Sequence, residues 1–356
     1  MSKKIILTGG GSAGHVTPNL ALIPRLQRDG FQVKYIGTRD GIEREIIQRE
    51  GIPYFSISAG KLRRYFSVKN FTDPFRIAKG YFQAKKILKK EQPDVVFSKG
   101  GFVTVPVVFA AKKRGIPVVL HESDYTPGLA NRLAIPKATR VCVSFEAAAK
   151  DIPASKCVVT GAPVRSELFA GDREKGLALL GFQGPKPTLL IMGGSLGAAA
   201  VNDAVDRILE RLLERFNVAH IRGEGKCNPA LDGLAGYRQF EYISEELPHV
   251  FAAADLMLSR AGANAIFEIL ALHIPALLVP LPLEASRGDQ ILNANYFESK
   301  GFSMVLQQAD MTDDALLSGL LTLWEKAPDL RQAMENSGIS NGTDNVISVI
   351  YSVLEK

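Results

Sequence analysis

The chain opens with a short apolar run at Lys4–Leu7, a group of glycines, and then a segment in which Leu20, Leu22, Ile23 and Leu26 recur at helical spacing up to Gly30. This reads as strand, glycine loop, helix. The alternation continues with strands predicted at Gln32–Ile36, Asp94–Phe97, Pro117–Leu120 and Arg140–Ser144. Helices are predicted at Gly41–Arg49, Val105–Lys113 and Leu129–Leu133. Cys157–Thr160 then leads into Gly161-Ala162-Pro163, the expected end of a first domain. After a Gly/Pro-rich stretch at Gly181–Pro187 the pattern restarts. Thr188–Met192 reads as a strand, Gly193–Gly197 as a glycine loop and Ala198–Phe216 as a long amphipathic helix. Further strands are expected at Val218–Ile221, Arg238–Glu241, Leu256–Leu258 and Ala276–Val279.

Short Val/Ile-rich runs between helical patterns imply parallel sheets with helices on both faces. The expected fold class is α/β, with two doubly wound Rossmann-like domains facing across a cleft. The ligand is expected at the carboxyl ends of the strands. Residues 1–163 make the first domain and 164–340 the second. The 341–356 tail, with a helix at Asn345–Leu354, is available to pack back on the first. A length of 356 residues, 46% of them hydrophobic, suits two cores better than one.

Cys142, Cys157 and Cys227 are far apart and form no CxxC pair, which fits a reducing compartment and offers no metal cluster. The N-terminus lacks the long apolar core of a signal peptide. The longest apolar stretch, Phe102–Ala111, is about half of a spanning helix and contains Pro106. These features point to a cytosolic protein that is free to rest on a membrane. The net charge of +6 is unevenly spread, with +16 in residues 1–165 and −10 in residues 166–356. Much of the basic excess lies in Lys61–Lys90, which carries ten Lys/Arg and one acidic residue, Asp73. Arg64, Lys79 and Lys86 are interleaved there with Phe66, Phe71, Phe75 and Phe82. Rings that bury at headgroup level beside cations that face phosphates describe a helix on an anionic bilayer. The same mixture can stack on nucleic-acid bases or form a solvated helix. The membrane reading is preferred over nucleic acid.

Gly9-Gly10-Gly11-Ser12-Ala13-Gly14 has GxGxxG spacing after a strand. The acidic residue that clamps a ribose in dinucleotide folds is absent from the end of the next strand, Tyr35-Ile36-Gly37-Thr38. The loop still lets a ligand approach the backbone at a helix start. His15 follows it, either as a general base for a sugar hydroxyl or as a brace for the loop. Gly193-Gly194-Ser195-Leu196-Gly197 is a second anion cradle, where Ser195 caps the helix, binds phosphate, or both. Neither cradle has the lysine of a nucleoside-triphosphatase loop. Glu268, in the helix after Ser259–Asn264, either accepts ribose hydroxyls or complements the helix dipole. Asp289 and Gln290, in a polar turn with Arg287, either bond a sugar or are solvated.

Seven segments in order carry a family resemblance. They are GGGSAGH (Gly9–His15), KGGFVTVP (Lys99–Pro106), HESDYTPG (His121–Gly128), GAPVR (Gly161–Arg165), GGSLG (Gly193–Gly197), SRAGANAIFE (Ser259–Glu268) and RGDQ (Arg287–Gln290). The sequence resembles, over nearly its whole length, the bacterial undecaprenyldiphospho-muramoylpentapeptide β-N-acetylglucosaminyltransferases, the MurG family of GT-B enzymes. The resemblance implies inverting transfer of N-acetylglucosamine from UDP-GlcNAc to undecaprenyl-linked muramyl-pentapeptide (lipid I), giving lipid II, with no metal or cofactor. It makes His15 the base. Arg165 and Ser195 become diphosphate ligands, Ile243 the backbone that reads uracil, and Glu268 the ribose ligand, with Asp289 and Gln290 at the donor sugar. Gly10, Gly11, Ser12, Ala13 and Gly14, with Glu122 and Asp124, would line the acceptor side. It further implies a peripheral protein on the cytoplasmic face of the cell membrane. Its partners would be anionic inner-leaflet lipids and other cell-wall synthesis proteins, with no nucleic acid.

Three segments depart from the family pattern. Ser12-Ala13 replaces Thr-Gly, and His121-Glu122-Ser123-Asp124 replaces His-Glu-Gln-Asn, which adds a charge near an anionic ligand. Asp289 replaces the first glutamine of a pair. Competing readings are a GT-B enzyme with another lipid or small-molecule acceptor, a non-catalytic UDP-sugar-binding relative, and a UDP-GlcNAc 2-epimerase.

Overall fold

The structure is a computed structural model that describes residues 2–60, 69–194, 197–339 and 341–355, without the side chains of Ala13 and of residues 69–72. Two compact units emerge, Met1–Arg165 with Asn341–Lys356, and Ser166–Ser340.

The first unit runs β1 (Lys4–Thr8), α1 (Thr17–Arg28), β2 (Gln32–Thr38), α2 (Ile42–Arg49), β3 (Tyr54–Ile57), α3 (Lys69–Glu91) and β4 (Val95–Ser98). It continues α4 (Thr104–Lys113), β5 (Val118–Glu122), α5 (Leu129–Ala134), β6 (Arg140–Val143) and β7 (Cys157–Val159). The second runs α6 (Arg173–Leu180), β8 (Thr188–Met192), α7 (Ala199–Leu213), β9 (Asn217–Ile221), β10 (Tyr237–Phe240), α8 (Leu247–Ala253) and β11 (Leu256–Ser259). Then come α9 (Ala263–Ala271), β12 (Ala276–Leu278), α10 (Asp289–Ser299), β13 (Met304–Val305) and α11 (Asp313–Asn336), before α12 (Thr343–Ser352) returns to the first unit.

The first sheet has the order β3-β2-β1-β4-β5-β6-β7 and the second β10-β9-β8-β11-β12-β13. Neighbouring strands in both are parallel. Parallel strands covered on both faces need unbroken apolar runs, and β4 and β5 are buried at every position. Along α7 the buried Val201, Val205, Ile208 and Leu212 form one stripe against its sheet, as its amphipathic pattern requires. Strand order reverses between β1 and β4 in one sheet and between β8 and β11 in the other. At such a point the loops leave in opposite directions and open a crevice at the carboxyl edge.

The chain's end completes the first core. Val346, Ile347, Ile350 and Val353 are buried among Ile5, Leu22, Val33 and Phe97. Asn341 fixes the entry, since its Oδ1 accepts from Val164 N–H at 2.9 Å and its Nδ2 donates to Val164 C=O at 2.7 Å. The first unit extends to Arg165, two residues past the sequence-based boundary. Two strands escaped the sequence pattern. Edge strand β3 has only Ile57 fully buried, and β13 is two residues long. Asp289 and Gln290 do not sit in a turn; they open α10 behind Gly288 at φ 83°, so the expected polar turn ends two residues earlier.

Candidate active site

The first glycine loop leaves β1, at the switch point of its sheet. After Gly11 at φ 86°, a short 3-10 turn over Ala13–His15 carries the chain into α1. Side chains are excluded from the base of this loop. A Cβ on Gly9 would lie 2.3 Å from His15 C=O, and one on Gly10 would lie 2.6 Å from Glu43 Oε1. The second loop at the same switch point, Lys99–Val103, presses against it, since a Cβ on Gly101 would stand 2.2 Å from Gly10 C=O.

His15 is half-buried, with Nδ1 3.0 Å from Ser12 Oγ. When Nδ1 holds the proton and donates it to Ser12, the lone pair lies on Nε2, the tautomer a general base needs. Asn19 Nδ2 donates to His15 C=O at 3.3 Å and to the Tyr35 hydroxyl at 3.0 Å, and Tyr35 in turn donates to Gly9 C=O at 2.9 Å. The loop is thus tied to α1 and β2.

Beneath it lies Glu43, a fully buried carboxylate that sequence reading passed over because an acidic residue in a first helical turn looks like dipole complementation. Its Oε2 accepts from Gly11 N–H at 3.2 Å, and its Oε1 from Thr38 N–H at 2.9 Å and the Thr38 hydroxyl at 2.5 Å. The Gly11 N–H is therefore bonded within the protein, which leaves the anion-cradle reading to the remaining loop groups.

Glu122 ends β5 and is 4% exposed. Its carboxylate accepts from Asp124 N–H at 3.0 Å, Gly128 N–H at 3.0 Å and Asn131 Nδ2 at 2.9 Å. Those bonds shape the loop in which half-buried Asp124 sits. Burial raises the Glu122 pKa, Asp124 adds to the rise, and Asn131 and Lys99 oppose it. Beside it, burial holds the His121 pKa well below the usual imidazole range, and His121 Nε2 lies 3.1 Å from Gly161 C=O.

In the second unit, helices α7, α9 and α10 follow β8, β11 and β12 and so begin at the carboxyl edge of the sheet. Ser195 lies outside the described residues, but its loop is framed by Gly194 at φ 89° and Gly197 at φ 66°, where a Cβ would strike Arg222 C=O at 2.0 Å. Helix α9 starts behind Gly262 and carries Glu268, 8% exposed, on its second turn. Ile243 is buried between β10 and α8. At the start of α10, Asp289 pairs with Arg287 at 2.5 Å, and Gln290 Oε1 accepts from Leu281 N–H at 3.1 Å. Both are engaged locally. Arg165 is half-buried at the end of the first unit.

A network behind the second cradle had no sequence signal, because its members are spread over α7, β9 and β10. Arg222 holds Asp206 bidentately at 2.6 and 2.8 Å, and Asn202 donates to Arg222 C=O at 3.0 Å. His220 lies between the Tyr237 hydroxyl at 3.1 Å and Asn202 Oδ1 at 3.0 Å. Burial, with Arg222 nearby, pushes its pKa down to about 3, so it is neutral. The network fixes the wall against which Gly197 packs.

Each switch point therefore carries a glycine loop and a helix start, one with an imidazole and one with a buried glutamate. The glycosyltransferase family 28 N-terminal domain matches residues 5–143, and the family 28 C-terminal domain matches residues 188–348. The chain belongs to glycosyltransferase family 28. Within it, the MurG type is shown by a Clostridium botulinum (strain Langeland) relative, 55% identical over 98% of each chain. That relative is described as a UDP-N-acetylglucosamine–N-acetylmuramyl-(pentapeptide) pyrophosphoryl-undecaprenol N-acetylglucosamine transferase. Among solved structures, Acinetobacter baumannii MurG superposes with a TM-score of 0.78 at 29% identity, covering 98% of this chain and 99% of that one. A putative UDP-N-acetylglucosamine 2-epimerase from Listeria monocytogenes gives a TM-score of 0.71 at 14% identity, covering 100% of this chain and 97% of that one. That likeness is one of fold alone and does not select a reaction. The family 28 matches span both glycine loops and Glu268.

Proposed function

We propose that this protein transfers N-acetylglucosamine from UDP-GlcNAc to the C4 hydroxyl of lipid I, with inversion, to give lipid II for peptidoglycan synthesis. The observation that carries the reading is the full-length 55% identity to a transferase of that description. The enzyme is UDP-GlcNAc-dependent and uses no metal or cofactor. Roles within the site are our assignment. His15 takes the proton of the attacking hydroxyl, and the acceptor lies on the loop of Gly10, Ser12, Ala13 and Gly14 with Asp124. Gly11 and Glu122 shape that surface through the bonds described above. On the donor side, Glu268 accepts the ribose hydroxyls and the Ile243 backbone reads the uracil edge. Asp289 and Gln290 meet the sugar. Charge developing on the departing diphosphate is met by Arg165, Ser195 and the helix starts, which need no reorganisation during reaction.

The test is transfer of labelled GlcNAc from UDP-GlcNAc to lipid I in detergent. Labelled lipid II is the expected product. Binding of UDP-GlcNAc without transfer to a properly presented lipid I, but with transfer to another lipid, would replace the acceptor.

We also place the protein peripherally on the cytoplasmic face of the membrane. Among the described residues no helix is long and apolar enough to cross a membrane. On α3, Phe75 is 78% and Phe82 66% exposed, beside exposed Lys79 and Lys86. Arg64 and Phe66 lie outside the described residues, as does the Phe71 side chain. Each cation near an anionic surface contributes on the order of 1 kcal/mol. Doubly substituted Phe75→Ser/Phe82→Ser protein is expected to co-sediment at least tenfold less with vesicles containing anionic lipid. Unchanged sedimentation would rule out this face.

A further inference from the structure

Arg260 is a buried guanidinium that none of the roles assigned above uses. It directly follows β11 at the switch point of the second sheet and is 7% exposed. Its acceptors are all neutral. Nη1 donates to Val279 C=O at 3.1 Å and to Pro280 C=O at 3.3 Å, and Nη2 donates to Gln308 Oε1 at 2.7 Å. Among the described residues it pairs with no carboxylate, and its Nε–H is buried without an acceptor. A buried cation with neutral partners and one bond unmade costs stability, so folding alone does not account for it. The bonds it does make hold the entry to α10. Val279 and Pro280 follow β12 and lead into the turn before that helix. The C=O of Pro280 belongs to the same planar peptide as the N–H of Leu281, and that N–H donates to Gln290 Oε1 at 3.1 Å. One rigid group is thus gripped by Arg260 on its oxygen and by Gln290 on its hydrogen. Because the partner is an N–H, the Gln290 atom facing it must be the carbonyl oxygen. The amide Nε2, which makes no bond among the described residues, is left as a donor at the carboxyl edge of the sheet. Ser286 Oγ closes the rest of the turn, donating to Pro282 C=O at 3.1 Å and accepting from Gly288 N–H at 3.1 Å, so the turn moves with its anchor.

We propose that Arg260 is a positioning residue for the donor sugar, holding the Pro280–Leu281 peptide so that Gln290 keeps its oxygen on Leu281 and offers its NH2 group to a sugar hydroxyl oxygen. This rests on the assignment of Gln290 to the donor sugar. Arginine suits the task because its planar fork reaches two carbonyls and the Gln308 amide at once, a geometry that the point charge of a lysine cannot fix.

The experiment is a double-substitution cycle in the full-length enzyme with Arg260→Lys, Gln290→Ala and both together. The readouts are kcat/KM for UDP-GlcNAc and the inhibition constant of UDP, which lacks the sugar, with thermal melts to confirm folding. Each single substitution is expected to lower kcat/KM for UDP-GlcNAc about fivefold, the worth of one hydrogen bond. The two together should also lose about fivefold, against about 25-fold for independent effects. The UDP constant should stay within about twofold throughout, whereas a merely structural arginine would weaken UDP as well. Full additivity, an equal loss of UDP binding, or unchanged kcat/KM in folded Arg260→Lys would overturn the proposal. If Arg260→Lys does not fold, Gln308→Ala, which frees one arm of the guanidinium, takes its place with the same expectation, and unfolding of both would overturn the proposal. Unchanged kcat/KM in Gln290→Ala would instead remove Gln290 from the sugar, and this inference with it.

Discussion

His15→Ala is expected to lower GlcNAc transfer by about 10²–10⁴-fold, the range for losing a general base, while UDP-GlcNAc binding stays intact. The 3-10 turn that carries the side chain is also held by Asn19, Tyr35 and Glu43 through backbone groups. Truncation therefore removes the imidazole and its bond to Ser12 while those backbone ties remain. Ser12→Ala serves as the smaller companion. It deletes the hydroxyl 3.0 Å from Nδ1, and losing one such bond costs about 1 kcal/mol, or roughly fivefold in rate. The measurement is single-turnover transfer to lipid I with donor binding followed separately. Transfer by His15→Ala within threefold of wild type would leave the imidazole as a brace and require another base.

Gly101→Ala is expected to reduce kcat/KM for lipid I by about 10²-fold, since displacement of a positioned group by about 1 Å carries a loss of that order. Two effects combine at this position. The backbone lies at φ 88°, where an L side chain is strained. The new methyl carbon would also fall 2.2 Å from Gly10 C=O. Every atom it would meet belongs to the Gly10 backbone and not to a flexible side chain that can swing aside, so the two loops of the switch point must separate. The UDP-GlcNAc KM should be unchanged, because the substitution lies in the first unit. Steady-state kinetics with each substrate varied in turn checks this. A variant with wild-type KM and kcat for lipid I would mean that active enzyme does not keep these loops in contact.

The repeated strand, glycine loop, helix unit was legible because it rests on local signals, namely apolar runs, glycines and helical periodicity. The same signals located both glycine loops and the histidine that follows the first. What stayed hidden depended on long-range neighbours. Lys99 in Ser98-Lys99-Gly100 reads as a solvated cation, and only the pairing of β4 with β5 brings it to Ser123. Glu43 reads as a helix-start acid until the fold brings Gly11 N–H to it. His220, Arg222 and Asp206 form their network only when β9 lies under α7. At the start of α10, Pro280, Pro282 and Gly288 gave turn signals strong enough to mask a helix beginning at Asp289. The strand β3 alternates too little to announce itself, as edge strands need bury only part of one face.

The return of α12 to the first unit also sets an order of events during synthesis. Domains usually fold as they leave the ribosome, the N-terminal one first. Here the unit containing residue 4 lacks Val346, Ile347 and Ile350 until α12 has been made, whereas Ser166–Ser340 is contiguous. The later-encoded unit can therefore close before the earlier one. The nascent first sheet keeps that apolar face uncovered until α12 has been made, so chaperone demand should fall most heavily on the half of the protein that emerges first.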